Sequence, residues 1–346
     1  MQSNFILTDV MKTGPHQDLE AFISLHSLKD QRFHYTGEYY TMHNYDIDAY
    51  DRKFAVIDVR AQNDRLKDNK EFHNELKRRC DLLHSQGFKF IKATPWESID
   101  NINNSNYYPD FDIEHIKWSG GVSWFWCYMY NKHKGKKFDF DHKKKKHDFL
   151  YLNKLSRPHR VKLYQALKKT DLLDNSIVTY WPEHLKLHTD YELPGIDEYP
   201  SRGMDQDLYE KPYNDSKYSL ISESNDNDNE VFMTEKIWKP IIAQQPFVVH
   251  GNHLYLQKLR EMGFKTFSNY FDETYDLESD CDKKIEKIYK VCKDLLSKDW
   301  QDIYLQSTAL RQYNHDHFFN EEALAKEINK TLISFLEFFD SGQVTP

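Results

Sequence analysis

The stretch YSLISESNDNDNEVFMTEKIWKPIIAQQPFVVHG, residues 218–251, decides how this chain is read. An apolar run, Lys217–Glu223, has the length and residue types of a buried strand. A polar loop, Ser224–Asn229, separates it from Thr234–Gln244, whose apolar spacing predicts a helix. Pro246–Gly251 then supplies a second short apolar strand. In an open parallel sheet, ligands bind beyond the carboxyl ends of strands, where loops meet helix N-termini. Thr234 suits the N-cap, because its hydroxyl can accept from an early helical amide. Glu235 favours the positive end of the same helix, and an anionic phosphate is attracted to that end for the same reason.

Working outward, the alternation of strand and helix recurs. Lys53–Arg60 reads as a buried strand through Phe54, Ala55, Val56 and Ile57, with Asp58 at its end. Asn63–Ser85 follows as a charged amphipathic helix with Leu66, Phe72 and Leu76 on one face. Gly87 ends it, and Phe88–Ala93 is the next strand. Asp110–Lys117 fits more than one element, and Gly120–Gly121 breaks the chain before the aromatic run Trp124–Tyr130. Lys132–His147 is dense in lysine and histidine, which repel one another and give burial nothing to work with. Beyond it come a strand at Asp148–Asn153, a helix at Pro158–Lys169, a strand at Asn175–Trp181 and a long loop at 182–212. A helix at Leu254–Met262, closed by Gly263, precedes a strand at Phe264–Phe267, and from Asp280 the pattern is helical. The reading is α/β: an N-terminal domain over 1–135, a basic linker over 136–147, a second α/β domain over 148–318 and a C-terminal helix over 319–346.

The chain's 346 residues suit two domains, and 39% hydrophobic with 15% aromatic residues can fill their cores. A formal charge of −8 argues against a surface that embraces nucleic acid as a whole, though a local basic patch at 132–147 stays open. Cys80, Cys127, Cys281 and Cys292 form no C-x-x-C pair and read as reduced thiols. Met1–Thr13 lacks the basic start and long apolar run of a signal peptide, and no stretch has the apolar length to span a bilayer. A cytoplasmic location with no membrane span is therefore expected.

A second informative segment, Asn153-Lys-Leu-Ser-Arg-Pro-His-Arg160, lies between a strand and a helix, with Tyr164 and Leu167 further along. Arg160 falls in the first helical turn, where it opposes the dipole, which suggests that an anion is expected there. Guanidinium recognises phosphate in bidentate fashion. A nucleotide sugar asks for this pairing: cations and amides for its diphosphate, and a carboxylate for its ribose hydroxyls. Lys236 fits the first need and Glu235 the second. Neighbours on a helix diverge by about 100°, so the two would address different parts of one ligand.

These residues resemble the alpha-1,3-fucosyltransferases (glycosyltransferase family 10). Members carry text of the form F-E-N-S, then Y-x-T-E-K-x-W, then P-V-V-x-G. Here the corresponding text is Ser222-Glu-Ser-Asn225, Phe232-Met-Thr-Glu-Lys-Ile-Trp238 and Pro246-Phe-Val-Val-His-Gly251. An arginine followed four residues later by tyrosine, then leucine, is similar to Arg160, Tyr164 and Leu167. Asn153–Arg160 also looks like segments of uncharacterised bacterial and phage glycosyltransferase-like proteins. The resemblance implies a GT-B fold, two Rossmann-like lobes facing a cleft, with GDP-fucose as donor and inversion at the anomeric carbon. It would place Lys236 and Arg160 on the diphosphate and Glu235 on the ribose, with Asn153, Arg157, Glu223 and Thr234 around them. The match covers about 150–250 and leaves the first domain unaligned.

Competing signals are weaker. Asp226-Asn-Asp228-Asn-Glu230 looks like a metal loop, but an EF-hand register from Asp226 puts Val231 where glycine belongs and Ile237 where glutamate belongs. No essential metal and no cofactor beyond the donor, a GDP-sugar or another nucleoside-diphosphate sugar, is expected. There is no G-x-S-x-G and no P-loop. Inversion needs a general base, for which Asp58 at a strand end is the first choice, with Asp110 and Asp112 competing. The expected function is transfer of a sugar, fucose by the resemblance, to a glycan hydroxyl. The alternatives are a transferase acting on nucleic acid through the lysine block and a non-catalytic carbohydrate-binding protein.

Overall fold

The computed structural model describes residues 5–9, 33–38, 46–50, 52–58, 70–94, 113–117, 121–154, 156–180, 183, 185–187, 207–224, 226, 231–328 and 330. The chain divides into two compact units, Met1–Tyr128 with Leu324–Pro346, and Met129–Ala323. Both are α/β, the class expected from the alternation.

The first unit holds strands β1 (Phe5–Asp9), β2 (Phe33–Glu38), β3 (Arg52–Asp58), β4 (Lys89–Thr94) and β5 (Ile113–Lys117) in the order β2-β1-β3-β4-β5. Every pairing is parallel. Helix α1 (Lys70–Ser85) joins β3 to β4; α2 (Gly121–His133) follows β5, and the division of the chain falls within it, after Tyr128. Asp110–Lys117 thus resolves in part as a strand, and the aromatic run at 124–130 is helical.

The second unit holds β6 (His147–Asn153), β7 (Ile177–Tyr180), β8 (Leu185–Leu187), β9 (Ser216–Ser222) and β10 (Phe247–His250), ordered β10-β9-β6-β7-β8 with only β8 antiparallel. Strands buried on both faces need unbroken apolar sequence, and β7 and β10 are buried at every position. Helix α3 (Pro158–Lys168) joins β6 to β7, α4 (Glu210–Asp215) leads into β9, and α5 (Glu235–Ile242) joins β9 to β10. Helices α6 (Tyr255–Glu261), α7 (Cys281–Ser297), α8 (Trp300–Gln306) and α9 (Thr308–Phe318) complete it.

Phe264–Phe267 departs from expectation. Among the described residues it pairs with no strand; instead Phe264 packs at 5.4 Å from the fully buried Trp238 ring, which lies 5.9 Å from Phe318. An apolar run of four residues is as useful to an irregular core segment as to a strand, and nothing local distinguishes them. The segment 136–147 is the one read from sequence as a basic linker. It lies wholly within the second unit, and Phe140 packs against the core formed by Leu150, Ile177, Tyr213 and Ala243. Its alternate aromatic residues supply the burial that its lysines do not.

Cys80, Cys127 and Cys292 are buried and Cys281 is half-buried, all as free thiols. Among the described residues no helix is long and apolar enough to cross a membrane.

Candidate functional site

Strand β6 is central in the second sheet. The chain leaves it through α3 to β7 on one side and later returns to β9 on the other, so the order reverses between β6 and β9. A crevice beyond the carboxyl ends at such a reversal is where open α/β sheets take ligands. Asn153, Ser222 and His250 are the last residues of β6, β9 and β10, all buried, and His250 is in register with Ser222. The first turn of α3 reaches this row, the His159 ring 5.6 Å from that of His250, and further along the Tyr164 ring stacks 3.8 Å from that of Tyr180 at the end of β7.

The turn after β9 is organised by Glu223, which is fully buried. Its Oε1 accepts from the Thr234 amide (3.1 Å) and the Tyr255 hydroxyl (2.7 Å), and its Oε2 accepts from the Thr234 hydroxyl (2.7 Å) and the Ser224 amide (3.1 Å). Four donors on one carboxylate are enough to keep an ion in a dry place. Gly251 is part of the same device. A Cβ there would stand 2.6 Å from the Tyr255 ring, so glycine lets the ring close up and aim its hydroxyl at Glu223. The Glu223 carboxylate, read from sequence as lying around a donor, ties the turn to the N-terminus of α5 through these four bonds.

Arg160 and Lys236 meet at this turn. The Arg160 Nε donates to the Glu223 carbonyl (2.9 Å) and its Nη2 to the Ser224 hydroxyl (3.2 Å). The Lys236 Nζ donates to the same Ser224 hydroxyl at 3.1 Å, and to the Thr234 hydroxyl at 3.2 Å. Two cations from separate strand-to-helix turns therefore converge on one oxygen. Burial holds the Arg160 guanidinium below its ordinary pKa, and the nearby Arg157 charge adds to the effect. Arg157 itself precedes α3 as its N-cap residue, exposed, without a side-chain capping bond.

Glu235 and Lys236 do not diverge as helix geometry suggested. The Lys236 ammonium folds back to Glu235 Oε1 at 2.6 Å. A lysine stem is long enough to undo the 100° between neighbours, and the buried Glu235 carboxylate attracts it. Burial pushes the Glu235 carboxyl upward, but the Lys236 and Lys239 charges outweigh it and hold it below the usual carboxylate range. Thr234 caps α5 as expected, accepting from the Lys236 amide.

No family model and no curated protein matches this chain. Similarity was found among solved structures. A crystal structure of an alpha1,3-fucosyltransferase with GDP is 11% identical, covering 99% of this chain and 93% of that one with a TM-score of 0.44. A second alpha1,3-fucosyltransferase structure is also 11% identical, covering 86% and 81% with a TM-score of 0.39.

Two contacts of His159 that sequence did not signal complete the site. His159, buried beside Arg160, places Nε2 2.8 Å from the Glu223 carbonyl and Nδ1 3.0 Å from Asp226 Oδ1. Asp226, the first residue of the stretch that looks like a metal loop, is thus held by an imidazole. Among the described residues no group of three or more histidine, cysteine or acidic side chains is placed to hold a metal ion. Beside them, among the described residues Ser222 Oγ and His250 Nδ1 meet no hydrogen-bond partner, and the Asn153 amide lies near the Tyr151 hydroxyl without a well-formed bond. Buried polar groups of this kind are normally satisfied by water or ligand. Asp58 ends β3 in the first unit; its side chain, with Asp110 and Asp112, lies outside the described residues.

His250 carries a pH dependence. Burial, then the charges of His159 and Lys284, lower its pKa to about 3. Below the ordinary histidine value of about 6.5 the unfolded chain binds a proton that the folded chain refuses. Stability is therefore full above that value and declines as pH falls toward 3, by about 1.4 kcal/mol per pH unit. Urea midpoints should drop between pH 7 and pH 5, and His250→Asn should flatten that drop. An unchanged slope in the variant would remove His250 as its source.

Proposed function

We propose that this chain is a glycosyltransferase that binds a nucleoside-diphosphate sugar at the carboxyl ends of β6 and β9, with Arg160 and Lys236 on the diphosphate. The observation that carries this reading is the convergence of their two charged groups on Ser224 Oγ. A hydroxyl has two lone pairs, and here both are taken by cations. That geometry is also suited to an anionic oxygen, which would be held more strongly than a neutral one.

In this reading a diphosphate oxygen takes over the two cations, and Glu235, released from Lys236, accepts from the ribose hydroxyls. The acceptor hydroxyl attacks the anomeric carbon, the bond to the β-phosphate oxygen breaks, and the electron pair leaves on the diphosphate. Fixed cations stabilise the charge that develops there. The proton passes to a general base, for which we keep Asp58 as first candidate. By the sequence resemblance the donor is a GDP-sugar, fucose in particular, the acceptor is a glycan, and the outcome is inversion without a catalytic metal. A GT-B arrangement of the two α/β units belongs to the same proposal.

A thermal-shift panel of GDP, UDP, dTDP, CMP and their sugars tests it. At 100 times its Kd the preferred ligand should add about 2.7 kcal/mol of stability. No stabilisation by any member at millimolar concentration would overturn the assignment. Stabilisation without release of nucleoside diphosphate in the presence of glycan acceptors would leave a binding protein in place of an enzyme.

A further inference from the structure

Residues 134–146, KGKKFDFDHKKKK, carry seven lysines and two aspartates in a chain whose formal charge is −8. A free segment of this composition would extend and move, because its charges repel. In the structure it is a pinned strap. The rings of Phe138, Phe140 and His142 alternate along it and stack in sequence, with centroids 5.5 and 6.4 Å apart. Its backbone is clamped to α4: the Asp141 amide donates to Asn214 Oδ1 at 2.9 Å, the Asn214 amide donates to the Asp139 carbonyl at 3.0 Å, and the Lys146 amide donates to the Asp215 carbonyl at 2.8 Å. Lys145 turns inward, its ammonium donating to the Tyr213 carbonyl at 2.7 Å.

The remaining lysines face solvent. Lys136, Lys137, Lys143 and Lys144 are exposed, and among the described residues none of these four side chains meets a carboxylate. Fixing like charges on an ordered backbone costs repulsion, which a dense polyanion would relieve while releasing its own condensed counterions. Because the backbone is already ordered, little further entropy is lost on binding. The rings stack on one another and on the unit's core, which confines recognition to charge. The exposed positions carry no apolar side chain, so a membrane gains no insertion from this strap. The two lysine pairs are six residues apart, up to about 20 Å, a span that reaches the phosphate rows either side of a major groove about 12 Å wide.

We infer that this strap is a docking surface for the phosphate backbone of duplex nucleic acid, bound without regard to base sequence. It adjoins the amino end of β6, whereas Asn153 and the Ser224 turn lie at the carboxyl end, about 20 Å away along seven residues of strand. The strap therefore anchors a polymer at a distance from the Arg160–Lys236 site, and this inference stands independently of the proposed donor.

The test is fluorescence-anisotropy titration of the full chain with a labelled 20-base-pair duplex of arbitrary sequence, from 50 to 200 mM KCl. With about four phosphates neutralised, the affinity should fall roughly 150-fold over that range. The combined variant Lys136→Glu, Lys137→Glu, Lys143→Glu, Lys144→Glu should lose saturable binding. The same four positions changed to arginine should bind within about threefold of the parent. Both variants should keep the parent's urea midpoint and its nucleotide thermal shift. The inference is overturned if the duplex does not bind at 50 mM KCl, or if charge reversal leaves binding intact. It is equally overturned if a sulfated oligosaccharide or phosphatidylserine vesicles bind at least tenfold more tightly at the same ionic strength.

Discussion

Glu223→Ala is expected to destabilise the second unit by about 3–5 kcal/mol, the range for breaking a buried charged network by removing one partner. The carboxylate is fully buried and accepts from two amides and two hydroxyls. Truncation strands all four donors and removes the tie that holds the N-terminus of α5 against the end of β9. Each stranded donor costs about 1–3 kcal/mol unless water enters, so entry of solvent sets where in the range the loss falls. Glu223→Gln keeps the volume but turns an amide NH₂ toward groups that already donate, and it should lose less than alanine while remaining clearly destabilised. Urea denaturation followed by tryptophan fluorescence measures both. A loss below about 1 kcal/mol for the alanine variant would show that the network holds little of the fold.

The second large effect concerns ligand affinity. Lys236→Met should weaken the preferred nucleoside diphosphate about 10- to 150-fold, since a hydrogen bond to a charged group contributes about 1.5–3 kcal/mol. Arg160→Lys should also weaken it, although charge is kept. Arg160 reaches the Glu223 carbonyl with Nε and Ser224 with Nη2 at once, and an ammonium has no such fork. If one anion bridges the two cations, the double variant should lose less than the sum of the single losses, or more if the anion leaves altogether; independence would mean two separate subsites. Isothermal titration supplies the four affinities. Wild-type binding in both single variants would dismiss the convergence at Ser224 as a structural contact only.

Several elements were legible because their signal is local. β6, β9, β10, α3 and α5 fall where apolar period and capping residues place them, and Thr234 caps α5 because a threonine ahead of an acidic first turn does so with little help from context. β1 and β2 carry no such local signal: Phe5–Asp9 and Phe33–Glu38 are short and partly polar, and pairing with β3 and with each other makes them strands. Phe264–Phe267 has the composition of a strand, and composition cannot tell sheet burial from packing against Trp238.

By itself the sequence determined the α/β class, the strand-to-helix turns at Asn153–Arg160 and Ser222–Thr234, and the presence of a cation in each. Those are properties of periodicity and residue type along a few turns of chain. Only the tertiary structure decided what each charge does. Glu223 is buried and ties its turn to α5, Lys236 bends back to Glu235, and His159 fixes Asp226. The reason is that an ion's role depends on which donors lie within about 3 Å and how much water is left. Both depend on segments more than 60 residues apart in the chain, as with Arg160 and Glu223.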